Sequence, residues 1–161
     1  MNKIKDQDEL AKIIDKQKAL GRTIGFTNGC FDILHKGHVR YLKGAKKECD
    51  ILVVGVNSDA SVKKIKGDSR PLNSQNDRLE VLEALECVDY LTLFEEDTPE
   101  KLIKKLTPDV LFKGGDWKVE TVVGGEYVMS KGGKVKIIPY VEGYSTTGMI
   151  SRMSGKEKNK K

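Results

Sequence analysis

Six consecutive apolar residues, Ile51 to Val56 (ILVVGV), limit what this chain can fold into more than any other feature. A strand with one face in water alternates apolar and polar residues, whereas an unbroken run is the pattern of a parallel strand covered on both faces. Helices must then lie on both sides of the sheet, and the rest of the chain supplies them. Residues 7 to 20 read as an amphipathic helix with Leu10, Ile13, Ile14 and Leu20 inward and Gly21 as its stop. A first strand starts at Ile24-Gly25-Phe26 and breaks at the turn signal Asn28-Gly29. A helix runs from His38 with Val39, Leu42, Ala45 and Cys49 on its inner stripe, and Lys36, Arg40, Lys43, Lys46 and Lys47 form a basic outer surface. After the apolar run, Asn57, Ser58 and Asp59 cap a short helix to about Lys64. A polar loop, KGDSRPLN, covers 66 to 73, and a helix over 74 to 86 puts Leu79, Leu82 and Leu85 inward. A third strand over 88 to 94, a helix over 99 to 106, a fourth strand over 110 to 112, a helix over 119 to 131, a fifth strand over 135 to 138 and a last helix from Thr146 complete the order. Strands alternating with helices at this spacing give an α/β fold, a doubly wound sheet of about five parallel strands with right-handed crossovers.

The 161 residues suffice for one domain with a real core, expected over 1 to 153, with a basic tail over 154 to 161 read as disordered. That tail holds Lys156, Lys158, Lys160 and Lys161 against Glu157 and accounts for much of the net charge of +5. The body is close to neutral, which argues against a nucleic-acid partner and leaves room for a basic groove that takes a phosphorylated small molecule. No apolar stretch approaches the ~20 residues that span a bilayer, and MNKIKDQDELAKII, interrupted by acids, is unlike a signal peptide. The three cysteines, Cys30, Cys49 and Cys87, are widely spaced and odd in number, which points to reduced thiols in a cytoplasm. Cys49 and Cys87 read as core fillers, and Cys30 as a structural residue of a site loop.

That site loop belongs to the stretch TIGFTNGCFDILHKGH, Thr23 to His38, where the first strand passes into a helix N-terminus. In an open α/β sheet, ligands bind beyond the carboxyl ends of the strands, and a helix N-terminus favours phosphate. Neither G-x-G-x-x-G nor a Walker A sequence is present. In their place stands G-C-F-D-x-x-H-x-G-H. His35 and His38, three apart, share one side of a helical turn, and Gly37 between them lets a ligand approach the backbone. Two imidazoles there can donate hydrogen bonds to phosphate oxygens where charge builds up during transfer. The rival reading, a metal pair, needs a third ligand, and the chain has only these 2 histidines.

Strand, GCFDILHKGH and helix together resemble the cytidylyltransferase-like family of nucleotidyltransferases, with its HxGH motif, and the resemblance extends over most of the chain. VGVNSDASVKKIKGDSRPLN, NDR, DVLFKGGDW and EGYSTTGMI follow in the family's order. The resemblance implies a Rossmann-like fold and transfer of a nucleotidyl group from a nucleoside triphosphate, with Mg²⁺ brought in by the nucleotide and no covalent enzyme intermediate. It implies catalytic roles for His35, His38 and Lys66 on the triphosphate, and contacts to substrate from Lys64, Arg70 and Arg78. Nucleotide contacts fall to Asn28, Gly29, Cys30, Phe31, Asp32 and Gly37 on the first loop, and to Lys113, Gly114 and Asp116 after the fourth strand. Gly143, Ser145, Thr146 and Thr147 complete them at the last helix start. Within the family, VNSDASVKKIKGDSRP and FKGGD resemble the heptose 1-phosphate adenylyltransferases of ADP-heptose synthesis, in a form without the sugar kinase to which they are often fused. That branch implies ATP and a sugar 1-phosphate as substrates, a role in lipopolysaccharide or surface glycan synthesis, and a homodimer. The nearest alternative is a glycerol-3-phosphate cytidylyltransferase using CTP, whose enzymes carry an arginine shortly before E-G-x-S-T-T. Pro139-Tyr140-Val141-Glu142 lacks it, which favours the heptose branch.

Overall fold

The computed structural model describes residues 2 to 139 and 143 to 155. Its centre is a sheet of five parallel strands: β1 (Ile24–Gly29), β2 (Ile51–Asn57), β3 (Tyr90–Phe94), β4 (Val110–Gly114) and β5 (Lys134–Ile138). Their spatial order is β3-β2-β1-β4-β5. The chain winds outward from β1 through β2 to β3, then returns to the other side of β1 and winds outward again. The reversal lies between β1 and β4, where no crossover covers the carboxyl ends and a crevice opens. Every residue of β2 is buried, as its unbroken apolar run requires.

Two apolar layers cover the sheet. On one face, α1 (Gln7–Ala19), α5 (Glu100–Leu106) and α6 (Gly125–Ser130) pack Leu10, Ile14, Leu102, Ile103 and Val128 against Phe26 and Val53. On the other, α2 (Lys36–Lys46) and α4 (Gln75–Glu83) pack Leu42, Ala45, Leu79 and Leu82 against Leu52, Val54 and Phe112. Gly25 permits this closeness, since a Cβ there would lie 2.6 Å from both the Cys49 sulfur and the Phe112 ring. The remaining helices, α3 (Asp59–Lys66) and α7 (Thr146–Met153), stand at the carboxyl end of the sheet.

Several boundaries differ from the sequence expectation, each for a local reason. Asn28-Gly29 does not end β1, because both residues still pair with Gly55 and Val56 of β2. α3 continues to Lys66 and stops at Gly67, whose φ of 99° is open to glycine, so Lys66 ends a helix and does not begin a loop. Leu20 is 71% exposed because it caps α1 after the amphipathic stripe has ended. The expected helix over 119 to 131 is divided: a 3₁₀ turn (Val119–Thr121) precedes α6, and Gly124, at φ 79°, separates them. Residues 140 to 142 and the basic tail from 156 lie outside the described residues.

Candidate active site

Three segments converge on the crevice. The β1–α2 loop holds Cys30, Phe31 and Asp32, α2 begins under His35, and α7 begins at Ser145. Together they line a cavity of about 490 Å³, which includes Lys66, Lys113 and Gly114 from the ends of α3 and β4. The volume is that of a site for a nucleotide-sized ligand. Thus the imidazole pair and the Ser-Thr cluster, over a hundred residues apart in sequence, face one space.

α2 begins earlier than the pattern predicts, at Lys36, because His35 serves as its N-cap. The His35 Nδ1 accepts from the Gly37 N–H at 3.1 Å, and the His38 Nδ1 accepts from the His35 N–H at 3.3 Å. This is a capping box written with imidazoles in place of hydroxyl and carboxylate. It also assigns the tautomers. With both Nδ1 atoms acting as acceptors, the proton of each neutral ring resides on Nε2. The rings stack with centroids 3.8 Å apart, and Phe31, at φ 50°, leans on His38 with centroids 5.3 Å apart. Gly37 has a second duty here: a Cβ would come within 2.9 Å of the His35 ring. Burial, the neighbouring His35 and the Lys66 ammonium together push His38 down to about 4, and burial lowers His35 as well. At neutral pH the pair therefore acts as uncharged N–H donors.

This has a consequence for stability. Between its ordinary value near 6.5 and its folded value of about 4, His38 takes a proton in the unfolded chain but not in the folded one. The unfolded state then binds more protons, so stability falls as pH drops through that window. We expect the melting temperature to decline from pH 6.5 to 4 and to decline less steeply in His38→Asn, which has no titrating ring. Equal slopes in a calorimetric pH series would contradict the burial of an uncharged His38.

The other predicted residues divide into two groups. Gly29, Asn28, Cys30, Thr146 and Thr147 line the cavity. Ser145 caps α7, its Oγ accepting from the Gly148 N–H at 2.9 Å. Lys66 lines the cavity and has no ion pair among the described residues. Asp32 also lines it, but its carboxylate is already engaged. It accepts from the N–H groups of Leu72 and Asn73, each at 2.9 Å, and from Arg70 Nε at 2.7 Å. Burial raises its pKa, and the two amides and the guanidinium outweigh burial and hold it below the ordinary carboxylate value. Asp32 therefore clamps the 70s loop to the site loop, and Arg70 is the other half of that clamp. This corrects the expectation of a substrate contact: Arg70 does not line the cavity, its Nε is engaged in the clamp, and its Nη2 is buried with no hydrogen-bond partner among the described residues.

Arg78 undergoes the same correction. Its side chain is 1% exposed and does not line the cavity. The guanidinium donates to the carbonyls of Asn73, Cys30 and Asn57 at 3.1, 2.5 and 2.9 Å, and to Asp59 at 2.9 Å. It joins the site loop, the end of β2, the start of α3 and the 70s loop, and it has no face left for a ligand. Lys64 does not line the cavity, and its ammonium pairs with Asp97, which does, at 3.1 Å. Asp116 and Gly143 also stand outside the cavity lining.

Sequence reasoning passed over Thr27, Tyr41, Asn57, Asp97 and Tyr144, all of which line the cavity. Thr27 and Tyr41 share a hydrogen bond of 2.7 Å between hydroxyls. Tyr41 stands three residues beyond His38 on the same helix, so the rule that placed His38 beside His35 would also have found Tyr41.

The family model for cytidylyltransferase-like proteins matches residues 26 to 152, from the first strand through the last helix. The chain belongs to the cytidylyltransferase-like family. It is 53% identical over 152 residues to the bifunctional protein HldE of Pelobacter propionicus, an alignment covering 94% of this chain and 31% of that protein. The chain therefore spans about a third of the length of the curated relatives it matches. Among solved structures, the lipopolysaccharide core biosynthesis protein of Thermoplasma volcanium is 31% identical with a TM-score of 0.60, covering 78% of this chain and all of that one. A pantothenate synthetase of Thermus thermophilus, 17% identical with a TM-score of 0.60 over 87% of this chain and 62% of its own, shares the fold. The five-stranded parallel sheet and the HxGH loop expected from the sequence are thus those of the family. No helix among the described residues is long and apolar enough to cross a membrane.

Proposed function

We propose that the chain transfers AMP from ATP to D-glycero-β-D-manno-heptose 1-phosphate, releasing pyrophosphate and forming an ADP-heptose for a surface glycan, in the cytoplasm. The observation that carries this reading is the pair of uncharged imidazoles whose Nδ1 atoms are occupied by backbone amides, leaving two Nε2–H donors on a cavity shared with a Ser-Thr helix start. An oxygen of the acceptor phosphate attacks the α-phosphorus of ATP. A new P–O bond forms, the bond from the α-phosphorus to the bridging oxygen breaks, and pyrophosphate leaves with the electron pair. The attacking oxygen is already anionic, so no base is needed, and catalysis reduces to positioning and charge neutralisation. His35 and His38 donate to the phosphate oxygens that gain charge, Lys66 neutralises the leaving group from the end of α3, and the amides at the α7 start hold the nucleotide phosphates.

The donor set suits a Mg²⁺ ion brought in by the nucleotide. Such an ion takes one or two carboxylates along with phosphate and water oxygens. Asp32 is committed to its clamp, and Asp97, the other cavity-lining carboxylate, would have to exchange its ion pair with Lys64 to hold the ion. When bound, the ion would neutralise charge on the triphosphate.

Pyrophosphate release measured with ATP and CTP against heptose 1-phosphate and glycerol 3-phosphate tests the reading. ATP with the heptose phosphate is expected to be the productive pair. A preference for CTP with glycerol 3-phosphate would move the assignment to the other branch, and nucleotide binding without any turnover would remove the enzyme.

A further inference from the structure

A second cavity of about 210 Å³ adjoins the first, and nothing in the reading so far occupies it. Asn28, Asp97 and Lys113 line both, so these three residues form the boundary between the two spaces. Beyond that boundary the second space is walled by Trp117, Val122 and Val123 and carries the polar side chains of Thr98 and Thr121. At ~30 Å³ per water it holds the volume of about seven waters, the scale of a monosaccharide and too small for a nucleotide. An aromatic ring flanked by hydroxyls matches a sugar, which presents C–H faces and hydroxyl edges.

Lys113 marks the boundary. It is half-buried at the end of β4, and among the described residues it has no hydrogen bond or ion pair. Its Nζ lies 4.7 Å from the centroid of the Trp117 ring. Burial lowers its pKa, as it does for a cation without an anion beside it. A partly desolvated ammonium between two chambers, faced by an indole ring and by no anion among the described residues, is costly unless a ligand anion completes it. Lys113 thus stands where an acceptor phosphate would have to pass from the second chamber to an α-phosphorus in the first.

We propose that the second cavity is the acceptor chamber, with the sugar ring against Trp117 and its 1-phosphate paired to Lys113, so that Lys113 selects a phosphorylated acceptor and presents it to the nucleotide. This rests on the adenylyltransferase reading and reassigns Lys113 from nucleotide to acceptor. The chamber is enclosed by β4, the 3₁₀ turn and the segment entering α5, with Asn28 of β1 at its boundary, and no residue from 30 to 38 of the imidazole loop lines it. Acceptor and nucleotide affinities therefore separate under mutation.

The experiment is steady-state kinetics on the full chain, with whichever sugar 1-phosphate or polyol phosphate the wild type adenylylates or cytidylylates. Turnover by the wild type decides the reaction reading, and the variants decide the chamber. Lys113→Met, close in volume, should raise the acceptor KM about ten- to a hundredfold, the scale of a lost charge-assisted hydrogen bond, and leave the nucleotide KM within about twofold. Thr121→Trp, at an exposed position of the 3₁₀ turn, should narrow the chamber and raise the acceptor KM without changing the nucleotide KM. An unchanged nucleotide KM also reports that both variants fold. Variants that raise the nucleotide KM and spare the acceptor KM overturn the proposal, as do variants that alter neither. If the wild type accepts no phosphorylated sugar or polyol at all, the reaction reading fails and the chamber assignment fails with it.

Discussion

His38→Ala lowers kcat by about 10²–10³, the cost of removing one preorganised donor from a charge-developing transition state. His38 is half of a capping box, so the substitution also frees the His35 N–H at the α2 start. The expected penalty for a lost cap is about 1 kcal/mol, well short of unfolding. The two effects separate experimentally. kcat falls by orders of magnitude, while the melting transition shifts by a few degrees. His38→Asn can keep an acceptor near the His35 N–H but moves the outer donor, so it should recover stability before it recovers rate. A His38→Ala enzyme with near-normal kcat would remove the central catalytic assignment.

Arg78→Met lowers stability by about 3 kcal/mol, near the lower end of the range for a buried ion pair that loses one partner. The lower end applies because Asp59 is 43% exposed and regains water, whereas the carbonyls of Cys30 and Asn57 are left without their donor. At roughly 2–4 °C per kcal/mol for a chain of this size, the melting temperature drops by about 6–12 °C. Asp59→Ala, which removes only the exposed partner, costs about 1 kcal/mol or less. Denaturant titrations of the two variants compare these directly. If Arg78→Met were within 1 kcal/mol of wild type and lost substrate affinity instead, the guanidinium would belong to a ligand and not to the fold. The prediction inverts the sequence expectation, in which Arg78 touches substrate.

The two arginines show where reading the chain stopped. Arg70 and Arg78 sit in KGDSRPLNSQNDR, a polar stretch that by composition is open to solvent and to phosphate. What took them inside was not local. Asp32, Cys30 and Asn57 come from elements 20 to 50 residues away, and they supply acceptors that only the folded sheet brings together. Hydrogen-bond partners at such separation leave no periodic trace, unlike the apolar faces of α2 and α4. The division of the 119 to 131 segment has the same origin. Its valines and glycines suit helix or strand, and closure over β5 and α5 favoured a 3₁₀ turn and a short helix. His35 as an N-cap was likewise hidden, because imidazole is not among the usual capping side chains.

The parallel sheet, by contrast, was determined by the chain alone. ILVVGV has no polar face to give to water, so it had to be covered on both sides by the alternating helices, while the strand order β3-β2-β1-β4-β5 came only with the folded chain. The HxGH spacing at a strand-to-helix junction equally determined that the two imidazoles stand together beside the crevice, since helix geometry sets the histidines and sheet topology sets the crevice. Tertiary structure decided which charged residues remain for a ligand. A polar side chain goes wherever its partners are, and only the folded chain assembles Asp32 with Arg70 and the four acceptors of Arg78, leaving Lys66 and Lys113 facing the cavities.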